Sequence, residues 1–169
     1  FIPGISLLIM GLIKKILVAD TFGNYSDRAF ALSSMDNLTF LDAWGGATAY
    51  TMQIYFDFSG YSDMAIGISR CFSIKLPINF NSPYKELSVT DFWRNWHITL
   101  TRFIKNYIYP FIAMPITRNI SKIFKSKKVV RRVSTFFSTM LIFTIIGFWH
   151  GAGWTFILFG VIHGVIVAL

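Results

Sequence analysis

The chain is short of charge and nearly devoid of cysteine. Only 14% of its 169 residues are Asp, Glu, Lys or Arg, where a soluble domain carries roughly 25%, so there is too little charge to clothe a water-facing surface. The single cysteine, Cys71, excludes an internal disulfide and any cysteine-based metal spacing, and it reads as a small buried apolar residue. No Walker, Rossmann or Gly-x-Ser-x-Gly pattern occurs, which removes the commonest nucleotide-binding and serine-hydrolase signatures. Positive charge ahead of the first apolar stretch is also lacking, because Lys14 and Lys15 follow it, and no signal peptide can be read. Acidic residues are scarce: eight against sixteen basic ones, for a net charge of +8. Seven of the basic residues fall within 118–132 with no acid among them. Such a run between apolar segments reads as a cytoplasmic loop or a contact with anionic lipid, and attraction of an anionic nucleotide-like donor is the alternative. Nucleic acid is not the expected partner.

What the chain does have is apolar surface. Hydrophobic residues make up 54% of it, with eighteen Phe, seven Tyr and five Trp, a load suited to lipid-facing helices and bilayer interfaces. A membrane span needs about 20 mainly apolar residues. Residues 1–19 supply one, closed by Lys14, Lys15 and Asp20, and a polar connector is expected over residues 20–42, carrying Asn24, Ser26, Asp27, Arg28, Ser33, Ser34, Asp36 and Asn37. Residues 43–72 follow, as one tilted helix with a break or as two short helices. Pro77 and Pro83 make residues 75–87 loop or re-entrant backbone.

Ser88 and Asp91 match a capping box that starts an amphipathic helix running through Tyr107, with its aromatic stripe opposite Arg94, Thr101 and Lys105. Pro110 and Pro115 kink or end what comes next. Residues 133–169 carry no charged side chain and are nearly enough for two spans, with the break bracketed by Gly147, Gly151 and Gly153. The expected fold class is all-α, a polytopic integral membrane protein with interrupted and re-entrant helices. Both ends look cut, so residues 1–169 are expected to be an internal fragment of a longer protein, with further helices on either side.

Within this apolar background a few polar groups stand out. His150, in Gly147-Phe148-Trp149-His150-Gly151-Ala152-Gly153-Trp154, is an ionisable group where placing one is costly, and such groups usually face a cavity and do work. A neutral imidazole there can accept a proton from a hydroxyl nucleophile; the competing reading is a histidine that hydrogen-bonds two helices together. His163 lies too far along a continuous helix to share a metal with His150 and reads as structural, unless the helix breaks near Gly160. His97 either pairs with His150 across a tunnel or anchors an interfacial helix. Asp57 and Asp63, with Ser59 between them, form the polar wall of a tunnel or a set of structural ion pairs, and they need partners such as Arg70, Arg94 or a lysine. No metal site is expected.

Four blocks then carry a resemblance. They are Gln53-Ile54-Tyr55-Phe56-Asp57-Phe58-Ser59-Gly60-Tyr61-Ser62-Asp63-Met64-Ala65-Ile66-Gly67, Leu76-Pro77-Ile78-Asn79-Phe80-Asn81-Ser82-Pro83-Tyr84, Asp91-Phe92-Trp93-Arg94-Asn95-Trp96-His97-Ile98-Thr99-Leu100, and the histidine region from Phe148 to Trp154 with Gly160-Val161-Ile162-His163-Gly164. In this order they resemble bacterial membrane-bound O-acyltransferases of the alginate O-acetyltransferase type. The resemblance implies a ring of helices around a tunnel in the bacterial inner membrane. It implies a cytoplasmic acetyl donor such as acetyl-coenzyme A, with no permanently bound cofactor. The acetyl group would pass to hydroxyls of an extracytoplasmic polysaccharide, directly or through an exported acetyltransferase partner. It also implies that His150 is catalytic and His97 the second histidine. Asp57, Ser59, Asp63, Arg94, Trp149 and His163 are the expected polar wall of the substrate tunnel. The rivals are a transporter or channel lined by the aspartates and histidines, and a non-catalytic scaffold for an exported modifying enzyme.

Overall fold

The structure is a computed structural model that describes residues 1–33 and 38–169. Among the described residues every regular element is helical, and they form two compact units, residues Phe1–Phe80 and Asn81–Leu169. Ser34, Asp36 and Asn37 of the expected connector lie outside the described residues.

In the first unit, α1 (Ile2–Ile13) opens with Pro3 in its first turn, where a missing N–H costs nothing. It passes through a π-helical segment, Lys14–Ala19, directly into α2 (Asp20–Ser33). The expected connector after Asp20 is therefore helical as far as Ser33. Its polar residues did not break the helix because they are spread around it, and Ser26 turns inward to donate to Gln53 Oε1 at 2.9 Å.

Opposite lies α3 (Phe40–Cys71), a single helix of 32 residues, about 48 Å long at 1.5 Å per residue. The break allowed for in residues 43–72 is absent. Thr39 and Asp42 close a capping box at its start, with Asp42 N donating to Thr39 Oγ1 at 3.2 Å and Thr39 N donating to Asp42 Oδ2 at 3.3 Å. The antiparallel seam is made of glycine: a Cβ on Gly4 would lie 2.7 Å from the Gly67 carbonyl oxygen, and one on Gly11 would lie 2.6 Å from that of Gly60. Backbone meets backbone there, as in helices that associate in lipid through small residues. The loop after α3 folds back on it, with the Phe80 ring 5.0 Å from Phe58 and 5.8 Å from Tyr55.

In the second unit, α4 (Val89–Asn95) starts at the expected cap, with Asp91 N donating to Ser88 Oγ at 3.0 Å. The helix expected to run through Tyr107 stops after Asn95. That residue's amide donates to Glu86 Oε1 at 3.0 Å, its side-chain oxygen accepts from Asn81 Nδ2 at 3.2 Å, and its carbonyl accepts from Asn81 N at 3.1 Å. Trp96 is extended and His97 left-handed, and the chain resumes as α5 (Ile98–Phe103). A π segment, Ile104–Ile108, leads to α6 (Tyr109–Ile123).

Pro110 sits in the first turn of α6 and Pro115 lies inside it, so neither ends a helix. The basic stretch 118–132 is mostly helical, divided between the end of α6 and the start of α7 (Lys127–His150). After the break at Gly151–Gly153, α8 (Trp154–Ala168) packs back on α7, as the glycines led one to expect.

Among the described residues two helices are long and apolar enough to cross a bilayer, Ile2–Leu32 and Lys127–His150, and α8 is a shorter apolar helix. Burial runs opposite to that of a water-soluble fold. The buried apolar side chains are Ala19, Ala29, Ala49, Ile66, Ile120 and Ile142, while Phe1, Phe40, Trp44, Tyr61, Phe111 and Trp154 are exposed. Small residues fill the helix contacts and large apolar ones face outward, the distribution expected of helices in lipid.

Candidate active site

The second unit gathers all three histidines around one aromatic cluster. His150 is the last residue of α7, placed there because Gly151–Gly153 cannot continue the helix. Its ring lies 5.0 Å from Trp149 and 6.3 Å from Phe159 of α8. Phe159 also meets His163 at 4.3 Å, and His163 stands edge-on to Trp93 of α4 at 5.2 Å. Trp93 packs in addition on Phe143 at 5.5 Å. The helix break falls at Gly151–Gly153 rather than near Gly160, and the fold-back of α8 brings Phe159, one turn before His163 on the same helix, to His150. His163 Nδ1 lies 2.9 Å from the Phe159 carbonyl oxygen; a carbonyl only accepts, so Nδ1 is the donor.

His97 is related to the cluster by its electrostatic interaction with His150. At φ 46° and ψ 58° it is the left-handed N-cap of α5, a conformation costing a non-glycine residue roughly 1–2 kcal/mol. Strain of this kind concentrates where a side chain is being aimed. Its Nδ1 is 3.5 Å from Thr99 Oγ1. Burial holds the imidazole below its ordinary pKa, and His150, near enough to act on it electrostatically, pushes in the same direction. The neutral base is the favoured form of His97.

The remaining expected residues are distributed differently. Trp149 is exposed next to His150. Arg94 is exposed and pairs with Asp91 at 2.7 Å. The Ser88 hydroxyl, and after it Arg94, holds the Asp91 carboxyl below its usual range.

Asp57, Ser59 and Asp63 belong to α3 of the first unit. Asp63 accepts from Lys14 Nζ at 2.6 Å and Asp57 pairs with Lys15 at 2.5 Å; Lys15 also reaches Asp20 at 3.2 Å. Of the partners the sequence offered, lysines fill the role: Lys14 for Asp63 and Lys15 for Asp57. Ser59 is buried with its hydroxyl lacking a hydrogen-bond partner. No group of three or more His, Cys, Asp or Glu able to hold a metal occurs among the described residues.

The model of one family, the membrane-bound O-acyltransferases, matches residues 1–169. The chain belongs to the membrane-bound O-acyltransferase family. Among relatives, the peptidoglycan O-acetyltransferase of Helicobacter pylori is 46% identical over 98% of this chain and 29% of its own length. The probable alginate O-acetylase AlgI of Azotobacter vinelandii is 41% identical over the whole chain and 31% of its own length. The teichoic acid D-alanyltransferase of Bacillus subtilis is 28% identical over 97% of the chain and 40% of its own length. The chain thus spans about three-tenths of the first two relatives. The family identity agrees with the resemblance carried by the four sequence blocks.

Sequence reasoning did not find Trp93, Phe143 or Phe159 as neighbours of the histidines. Trp93 belonged to the expected aromatic stripe, whereas nothing singled out Phe143 or Phe159, because their meeting with Trp93 and His150 depends on how the helices pack.

Proposed function

We propose that this chain is part of the catalytic core of a multi-pass O-acyltransferase in the bacterial inner membrane. It moves an acetyl group from a cytoplasmic thioester donor, acetyl-coenzyme A or a relay from it, toward hydroxyls of an extracytoplasmic polysaccharide, directly or through an exported transferase. The observation that supports this reading best is the position of His150. It ends a helix of bilayer-crossing length beside a glycine break, and a second imidazole, His97, lies within electrostatic reach.

His150 takes the proton of the acceptor hydroxyl as its oxygen attacks the thioester carbonyl. The carbon–sulfur bond breaks, the ester forms, and the thiolate leaves with the proton that His150 returns. A positioned base of this kind supplies about 10²–10⁴ in rate. Transport along a line of aspartates is the weaker reading, because Asp57 and Asp63 are both committed to lysines. The relatives' names, which refer to peptidoglycan, alginate and teichoic acid, support a cell-surface polymer as the acceptor class.

The test is His150→Ala in the full-length protein. Membrane insertion and yield should match wild type while O-acetylated polymer disappears. Wild-type product from the variant would remove His150 from the reaction.

A further inference from the structure

Away from the histidines, the second unit has a cleft of about 410 Å³ between α6 and α7. Lys125, Lys127 and Arg131 line it together with Thr117, Ser134 and Thr135. Three features distinguish it from an ordinary solvated basic face.

First, its cations have no carboxylate to meet. Residues 92–169 contain no Asp or Glu, and the two acids of this unit are already engaged, Asp91 with Arg94 and Glu86 with Asn95. Second, Ser134 is only 4% exposed, lines the cleft, and its Oγ has no hydrogen-bond partner. A buried hydroxyl without a partner is costly, and rotation of the Ser134 side chain toward the cleft would let a ligand oxygen satisfy it. Third, α7 begins at Lys127, on the cleft wall, with no side chain capping its first turn, so free backbone N–H groups and the positive end of the helix dipole are available there.

We propose that this cleft binds a phosphate ester. The Lys125, Lys127 and Arg131 side chains neutralise its charge, Arg131 offers a planar fork to two of its oxygens, and the Ser134 hydroxyl donates to another. A basic stretch that serves only to orient helices needs neither a concave site nor a buried hydroxyl. The binding does not depend on acyl transfer and is read out separately from it.

The experiment uses the full-length protein in phosphatidylcholine nanodiscs titrated with inorganic pyrophosphate. In parallel, the protein is extracted from mixed vesicles of phosphatidylglycerol and phosphatidylcholine, and the retained lipid is weighed by native mass spectrometry. K127Q/R131Q should weaken binding at least tenfold and Ser134→Ala several-fold. R118Q/K122Q removes the same charge from the same basic stretch outside the cleft and should change binding less than twofold. Pyrophosphate binding would assign the site to a soluble phosphate ester, and selective phosphatidylglycerol retention without it would assign a lipid headgroup; either supports the proposal if the variants follow this order. Binding of neither probe would overturn it, and so would equal losses in the two double variants, which would indicate diffuse attraction.

Discussion

His97 and His150 lie within electrostatic reach of each other although they stand on different helices, one in a left-handed break between α4 and α5 and the other at the C-terminal end of α7. Each sits where a helix is interrupted. An imidazole at an interruption projects beyond the packed stripe of its helix, and two such ends can approach a common substrate.

The left-handed backbone of His97 separates its structural role from its chemical one. Asn and Gly adopt this conformation more readily than other residues. His97→Asn and His97→Gly in the full-length protein should therefore melt at or above the wild-type temperature in detergent, while O-acetylation falls tenfold or more. An Asn variant with full product yield would leave His97 as a backbone element only.

The depressed pKa of His97 sets a direction for pH dependence. The unfolded imidazole titrates at about 6.5, and the folded one, half-buried and acted on by His150, titrates lower. Its contribution to stability is fully present above the unfolded value and is lost as pH falls through that value and on through the folded one. Thermal melts of wild type should decline on acidification from pH 7 to 5, and His97→Asn should decline less. Parallel curves for the two proteins would contradict this.

The glycine seam between α1 and α3 should resist even one added methyl. Gly11→Ala places its Cβ 2.6 Å from the Gly60 carbonyl oxygen, a contact that only separation of the helices relieves. The expected loss is about 1–3 kcal/mol, visible as a lower melting temperature and increased proteolysis within the first unit. An unchanged melt would mean that the helices do not pack through these positions.

Lys14 and Asp63 should behave as a couple. Lys14→Met alone leaves a part-buried carboxylate without its lysine and should lower both folding yield and acetylation. The exchanged pair, Lys14→Asp with Asp63→Lys, should recover much of each, with a coupling of about 1 kcal/mol. Failure of the exchanged pair alongside a tolerated single variant would point to a transport or substrate role for Asp63.

Much of this protein was legible before any coordinates. The charge deficit and aromatic load dictated helices in an apolar solvent, because too few polar side chains exist to cover them. Ser88 with Asp91 marked a helix start, and Gly151 to Gly153 marked a helix end, since caps and glycines act through their immediate neighbours. Other features were misread for the same reason. Asn24, Ser26, Asp27 and Arg28 looked like part of a connector, yet they belong to a helix that packs on α3, with Ser26 in the contact. Nothing local in Asn95-Trp96-His97 announced a break, because the stop depends on Asn95 bonding back to Asn81 and Glu86.

Residue types and their order determined the membrane class, the helix periodicity and which side chains carry chemistry. Only the tertiary structure decided that Lys14 and Lys15 answer Asp63 and Asp57, that His97 turns left-handed, and that His163 shares Phe159 with His150. The two ion pairs join residues far apart in the chain, and the free energy that selects all three arrangements comes from packing and charge compensation available only once the helices have met.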